Sequence, residues 1–268
     1  MKVDIKEVLR GKSPALARVP FLVRYLRRII HEEEINSHLE NFSHLDSIGF
    51  IHESLAQMQI SYSAVGMEKL DPNGRYIFAS NHPFGGLDGL MLADTVSEYF
   101  GDARVVVNDL LMHVAPLRQI FIPINKHGRQ SGEYSKLYND AFASAMPIIT
   151  FPAGLCSRRV KGQVRDSEWK PSFIKQAVAS ERDIVPVYFD GCLSNFFYRL
   201  SNLRTRLGVK ANIEMLYLAD EMFKQRGRHF DIMIGDPVPW QSLSAGGKQA
   251  KESAQGIRTL AYNLKKNG

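Results

Sequence analysis

Cysteine and tryptophan are scarce in this chain, with two of each among 268 residues. Cys156 and Cys192 stand alone, without the paired spacing of a zinc site, and so few thiols exclude a disulfide framework and fit a reducing compartment. No apolar run approaches the roughly 20 residues that span a bilayer. The opening Met1-Lys2-Val3-Asp4-Ile5-Lys6 leads into no apolar signal core, so a cytoplasmic protein is expected, soluble or peripheral on the inner face of the membrane. A P-loop, a paired-glycine dinucleotide fingerprint and a nucleophile elbow are also missing, which removes the commonest enzymes built on alternating strands and helices. Zinc-finger spacing, an aromatic RNA-binding motif and a helix-turn-helix are absent too, so nucleic acid is not an expected partner.

What is present is an ordinary globular balance of 44% apolar and 23% charged residues, long enough for one substantial core with a helical appendage. The charge is uneven. Eight basic residues stand against Asp4 and Glu7 in the first 30 positions, a surplus equal to the +6 of the whole chain. There, Phe21, Leu22, Tyr25, Leu26, Ile29 and Ile30 share one helical face and Arg24, Arg27 and Arg28 the other. Such a helix suits an anionic membrane surface; it equally suits packing on the domain with its basic face in water. Residues 31–57 stay helical in character, with Gly49 as the expected break and with His31 and His38 on a solvated face.

From residue 58 the pattern changes to strands alternating with helices. Residues 58–65 alternate with Ile60, Tyr62 and Ala64 on one face, and Asp71-Pro72-Asn73-Gly74 is a turn. Strands are expected over 76–79, 104–108, 120–124, 147–151, 184–189, 212–218 and 230–234. Helices are expected over 89–100 and 134–145, with an exposed polar one over 248–266 after Gly246-Gly247. Residues 110–117 are a short apolar stretch suited to packing, and 126–129 form a basic loop. The expected fold is therefore a three-layer α/β domain over 58–268 with a mainly parallel or mixed sheet, preceded by an N-terminal amphipathic helical arm over 1–57.

The strand over 76–79 runs into Ser80-Asn81-His82-Pro83-Phe84-Gly85-Gly86-Leu87-Asp88. His82 thus sits at the carboxyl end of a strand, where open α/β sheets bind ligands, and Asp88 in the first turn of a helix. Pro83 biases His82 toward an extended backbone, and Gly85-Gly86 permits a tight return, so that the Asp88 carboxylate can reach one imidazole nitrogen. The other nitrogen then faces the cleft as a general base, contributing roughly a hundred- to ten-thousand-fold in rate. No serine nucleophile is needed, because an alcohol can attack a thioester directly. Asp88 also fits the simpler role of a helix cap, and the two roles are compatible. Cys156, beside Gly154 and Ser157, reads as a buried thiol rather than a nucleophile.

Asn81-His82 followed by Asp88 resembles the first block of the lysophosphatidate and glycerol-3-phosphate acyltransferase family, in particular its hemolysin-like lysolipid branch. Residues 120–126, 151–158 and 184–189 resemble its later blocks in order, and the match covers roughly residues 60–240. The resemblance implies His82 as catalytic base and Asp88 as its orienter. Asn81, Gly85, Gly86, Gly154 and Ser157 are expected to contact substrate, and Arg118, Lys126 or Arg158 to supply a cation there. The resemblance implies no metal and no bound cofactor, with acyl carrier protein or coenzyme A thioester as co-substrate and a lysolipid as acceptor. The six basic residues against Asp166 and Glu168 over 158–175 suit such an acidic carrier, coenzyme A phosphates or anionic headgroups, and equally a solvated loop with no partner.

Three departures shape the expected substrate. One residue more than usual separates His82 from Asp88, Ile124 stands where the family carries arginine, and Ala153 where it carries glutamate. Those positions are tied in the family to the acceptor's phosphate. The expected acceptor is therefore a lyso-amino-lipid, such as a glycine or ornithine lipid precursor, ahead of lysophosphatidate. A non-catalytic peripheral lipid-binding protein is the alternative of another class.

Overall fold

The computed structural model describes residues 2–124 and 132–265. The chain opens with α1 (Ile5–Lys12), α2 (Pro14–Ala17), α3 (Pro20–Ile30), α4 (Glu32–Phe42) and α5 (Ser47–Gln57). Proline takes the first position of both α2 and α3, where a missing amide proton costs nothing. The break expected at Gly49 lies before it, because Asp46 caps α5 by accepting from the Gly49 amide at 2.8 Å. His31, expected in water, stacks on Phe223 at 4.6 Å and binds Asp220 at 3.1 Å, and His38 is buried. Nor does α3 present the expected face: Val23 and Ile29 are buried, whereas Phe21 is 79% exposed.

The remaining elements are β1 (Ser61–Val65), β2 (Tyr76–Ser80), α6 (Leu87–Phe100), β3 (Arg104–Asn108), β4 (Phe121–Ile124), α7 (Gly132–Ala143), β5 (Ile148–Thr150), β6 (Arg158–Val160), β7 (Gln163–Arg165), α8 (Ser172–Ala179), β8 (Asp183–Phe189), α9 (Asn195–Arg206), α10 (Leu218–Phe223), β9 (His229–Ile234) and α11 (Gly247–Leu264). Seven strands form one sheet in the order β1-β9-β8-β2-β5-β3-β4. Only the β8–β9 pairing is antiparallel, so the sheet is mixed and mainly parallel.

Alternation along β2 builds the layers. Phe78 faces a core shared with Leu55, Met91, Leu92, Val96, Val185 and Val187, roofed by α5 and α6. Ile77 and Ala79 face the opposite core, with Ile148, Trp169, Ile174, Ala177 and Ile184. α11 belongs to that second layer and is not the exposed helix expected: Ala250, Ala254, Ile257 and Ala261 form a buried stripe of mostly small residues that lets it approach the sheet. Arg182, fully buried there, donates to carbonyls at the end of α7, including Met146 O at 2.8 Å. Burial pushes its guanidinium down to about 10.

Residues 212–218, expected as a strand, are a 3₁₀ helix over Ile213–Tyr217 leading into α10. Ile213, Met215 and Tyr217 do alternate, but the residue between, Glu214, is buried and tied to Arg158 at 3.1 Å and Arg204 at 2.8 Å. Those ion pairs hold the segment away from the sheet. Among the described residues no helix is long and apolar enough to cross a membrane.

Candidate active site

β2 lies in the middle of the sheet, flanked by β5 and β8, and delivers His82 to its carboxyl edge. Asn81 extends that ladder with its side chain, accepting from Phe189 N at 2.7 Å and donating to Phe189 O at 2.9 Å. Both ends of its amide are used and the residue is buried, so Asn81 buttresses the loop rather than meeting a ligand. The chain then turns at Gly85, which has φ +70°; a Cβ there would lie 2.9 Å from the Leu218 side chain and 3.1 Å from that of Cys156. Only glycine fits this crossing.

The turn closes on Asp88. Its Oδ2 accepts from His82 Nδ1 and from the Phe84 amide, both at 3.0 Å, and its Oδ1 accepts from the amides of Gly86 at 3.1 Å and Gly89 at 3.0 Å. The carboxylate has no exposed surface, yet four donors and the amino end of α6 satisfy it. It orients the imidazole and folds the loop at once. With Nδ1 on the carboxylate, Nε2 is the nitrogen left over, and it has no hydrogen bond among the described residues. The His82 side chain is 16% exposed, and the Phe151 ring lies 4.2 Å from its own.

A second carboxylate stands behind the histidine. β6 and β7 pair through a turn at Lys161 and Gly162, both with positive φ, so the residues flanking the hairpin, Ser157 and Asp166, come together. Asp166 Oδ1 accepts from the Ser157 hydroxyl at 2.6 Å and the His82 amide at 3.2 Å, and the Ser157 amide donates to His82 O at 2.8 Å. Trp169 Nε1 holds the other oxygen at 2.9 Å. Burial pushes the Asp166 carboxyl above the ordinary range, although these donors and His82 oppose the rise. The Ser157 hydroxyl, expected at a ligand, is thus committed to Asp166.

A family model described as Acyltransferase matches residues 7–268. The chain belongs to this acyltransferase family. It is 40% identical over 265 residues to lyso-glycine lipid O-acyltransferases of Phocaeicola vulgatus and Bacteroides thetaiotaomicron, spanning 98% of this chain and 95% and 97% of theirs. The crystal structure of the 1-acyl-sn-glycerophosphate (LPA) acyltransferase PlsC from Thermotoga maritima aligns over 97% of this chain and 87% of that one, at 13% identity and a TM-score of 0.47, too distant to argue from. The protein is an enzyme that transfers acyl groups, not a non-catalytic lipid-binding module.

In this acyltransferase the remaining predicted residues part company. Arg158 is not a free cation: it donates to Cys156 O at 2.9 Å, pairs with Glu214 and lies over the Phe197 ring. Arg118 precedes β4, whose first residue pairs with Val105 near the start of β3, so its backbone enters at the edge opposite His82; its Nε donates to Met112 O at 2.6 Å. Lys126 lies outside the described residues, as does the basic loop over 126–129. Gly154 does turn beside the histidine loop, with φ +71° and its amide on Phe151 O at 2.9 Å. Cys156 is buried, its thiol pushed up to about 11. No group of three or more His, Cys, Asp and Glu among the described residues is arranged to hold a metal ion.

Sequence reasoning passed over Asp166, Phe151, Glu214 and Lys170. Lys170 is exposed and carries no ion pair among the described residues, and its ammonium would stand 3.4 Å from a Cβ at Gly154. In the sequence it is one cation of a basic flank. Asp166, an acid within that same flank and three residues before Trp169, had only this contrast to mark it.

Proposed function

We propose that this enzyme is a lyso-glycine lipid O-acyltransferase, moving a fatty acyl group from the thioester of acyl carrier protein or coenzyme A to the hydroxyl of an N-acylated glycine. The observation that carries the mechanism is His82 Nδ1 held on Asp88 at 3.0 Å, with no hydrogen bond to Nε2 among the described residues, at the sheet's carboxyl edge. Identity of 40% along nearly the whole length of the lyso-glycine lipid enzymes supports the acceptor.

His82 Nε2 takes the proton of the acceptor hydroxyl as its oxygen bonds to the thioester carbonyl carbon. Asp88 stabilises the imidazolium that forms. The tetrahedral intermediate collapses with loss of the thiolate, which recovers the proton from His82, leaving ester and thiol. The absence of arginine and glutamate at Ile124 and Ala153 fits an acceptor that carries a carboxylate in place of a phosphate, and Lys170, without an ion pair among the described residues, is a cation beside the Gly154 turn.

The test is a mass-spectrometric acylation assay offering hydroxyacyl-glycine lipid and lysophosphatidate in parallel. Transfer to the glycine lipid is expected, falling roughly a thousand-fold or more in His82→Ala. Transfer to lysophosphatidate alone overturns the acceptor; full activity of His82→Ala overturns the mechanism.

A further inference from the structure

α9 is apolar on two faces. Phe197, Tyr198 and Ser201 face inward and are buried. Phe196, Leu200, Leu203 and Leu207 recur at the spacing that normally marks a core stripe, yet Phe196 is 47%, Leu203 54% and Leu207 69% exposed. Ile213 and Leu216 of the neighbouring 3₁₀ helix add to the same uncovered surface.

This surface is continuous with the N-terminal helices. The Phe196 ring meets Tyr217 at 4.9 Å, and Tyr217 meets Tyr25 of α3 at 6.5 Å, edge to face. One turn before Tyr25, Phe21 is the most exposed large apolar side chain among the described residues. Beside it a groove of about 730 Å³ between α1, α2 and α3 is rimmed by Lys6, Arg10, Arg18, Arg24 and Arg27. Arg10 pairs with Glu7, and Arg27 with Asp4 and Glu32, which leaves Lys6, Arg18 and Arg24 without an ion pair among the described residues. Arg206 and Lys210 are exposed at the far end of the band.

We propose that this band, running from Phe21 through Tyr25, Tyr217 and Phe196 to Leu207, is one docking surface for an anionic bilayer, with α9 inserting beside the arm. Scattered apolar side chains on a surface need no explanation, but a contiguous band flanked by cations matches an interfacial helix. A bilayer supplies the complementary charge along with the hydrocarbon, and each basic side chain strengthens binding. The band also leads to the chemistry. The segment that carries Tyr217 outside carries Met215 inside, 4.0 Å from Cys156 Sγ, and Leu218 against Gly85. A lipid acceptor drawn from the bilayer would thus enter beside the His82 loop, an extension that rests on the lysolipid reading.

Sedimentation with vesicles of phosphatidylglycerol or phosphatidylcholine tests the surface without turnover, so its failure and failure of the catalytic reading stay distinct. The intact chain should pellet with the anionic vesicles in preference to the neutral ones. Leu203→Asp with Leu207→Asp, at exposed sites where the thermal midpoint should hold, should weaken binding at least about tenfold. Arg18→Glu with Arg24→Glu should weaken it similarly, while His82→Ala should bind as the intact chain does. Undiminished binding of the Leu203/Leu207 variant would overturn the proposal and leave the arm alone as anchor. No preference for anionic vesicles would overturn it as well, as would a dimer in solution that this variant dissociates, since a second copy would then cover the stripe.

Discussion

Asp88 and Asp166 are charged groups with almost no surface, whereas Phe21 and Leu207 are apolar groups with most of theirs in water. Each placement runs against the transfer energy of the side chain. The acids are stable where they are because donors surround them: four for Asp88, and for Asp166 the His82 amide, the Ser157 hydroxyl and the Trp169 indole. The apolar band has no such cover among the described residues. The buried acids therefore need nothing further, while the band is left to the bilayer proposed above.

The largest expected effect breaks the interior half of this contrast. Asp88→Ala takes the acceptor from three backbone amides and from His82 together, so kcat should fall about 10³- to 10⁴-fold and stability by roughly 3 kcal/mol or more. Steady-state kinetics and denaturant unfolding measure the two separately. Loss of turnover with unchanged stability would mean that the amides do not depend on the carboxylate. Acidic substitutions in the outer band, by contrast, should leave the unfolding midpoint where it is.

Asp166→Asn is a milder probe, since shape is kept. Both carboxylate oxygens accept, so one face of the new amide must meet a donor, and about 1–3 kcal/mol of stability should be lost at neutral pH. Its pH dependence sharpens the reading. Because burial raises the folded carboxyl above its ordinary 3.8, the folded chain binds a proton that the unfolded chain has released between that value and the raised one. This contribution to stability is present at the acid end and is lost as pH rises through the raised value. Unfolding curves of Asp166→Asn should lack that slope.

The smallest effect compares the two thiols. Cys192 is exposed and Cys156 buried beside the His82 loop, so an alkylating reagent at pH 8 should modify Cys192 and spare Cys156 until the protein unfolds. Between pH 9.0 and about 11 the folded Cys156 retains a proton that the unfolded chain gives up. Its contribution to stability is lost across that window, and Cys156→Ala should flatten this alkaline limb. Early labelling of Cys156 would show that the segment carrying Met215 and Leu218 opens.

The legible parts of the fold were those written in local pattern. The β2 strand, the Asp71–Gly74 turn, α6 and the His82–Asp88 approach follow from apolar alternation, turn residues and two glycines within a dozen positions. α11 misled because its buried stripe is mostly alanine, which reads as polar surface when the other faces carry lysine and glutamine. Residues 212–218 alternate locally, but the ion partners of Glu214, Arg158 and Arg204, lie 56 residues upstream and ten upstream, outside that pattern. Arg118 and Arg158 looked like site cations by charge alone, and the fold placed one at the other edge and neutralised the other.

What the sequence determined by itself is short in range: elements whose periodicity is their own, and a histidine and an aspartate near enough for one loop to join them. The tertiary structure alone decided which charges remain free, that Ser157 and Asp166 flank one hairpin behind His82, and that α9 and α3 present a single band. These depend on pairings between segments far apart in the chain. A hydrogen bond or a buried face is a property of two surfaces, and a local pattern specifies only one of them.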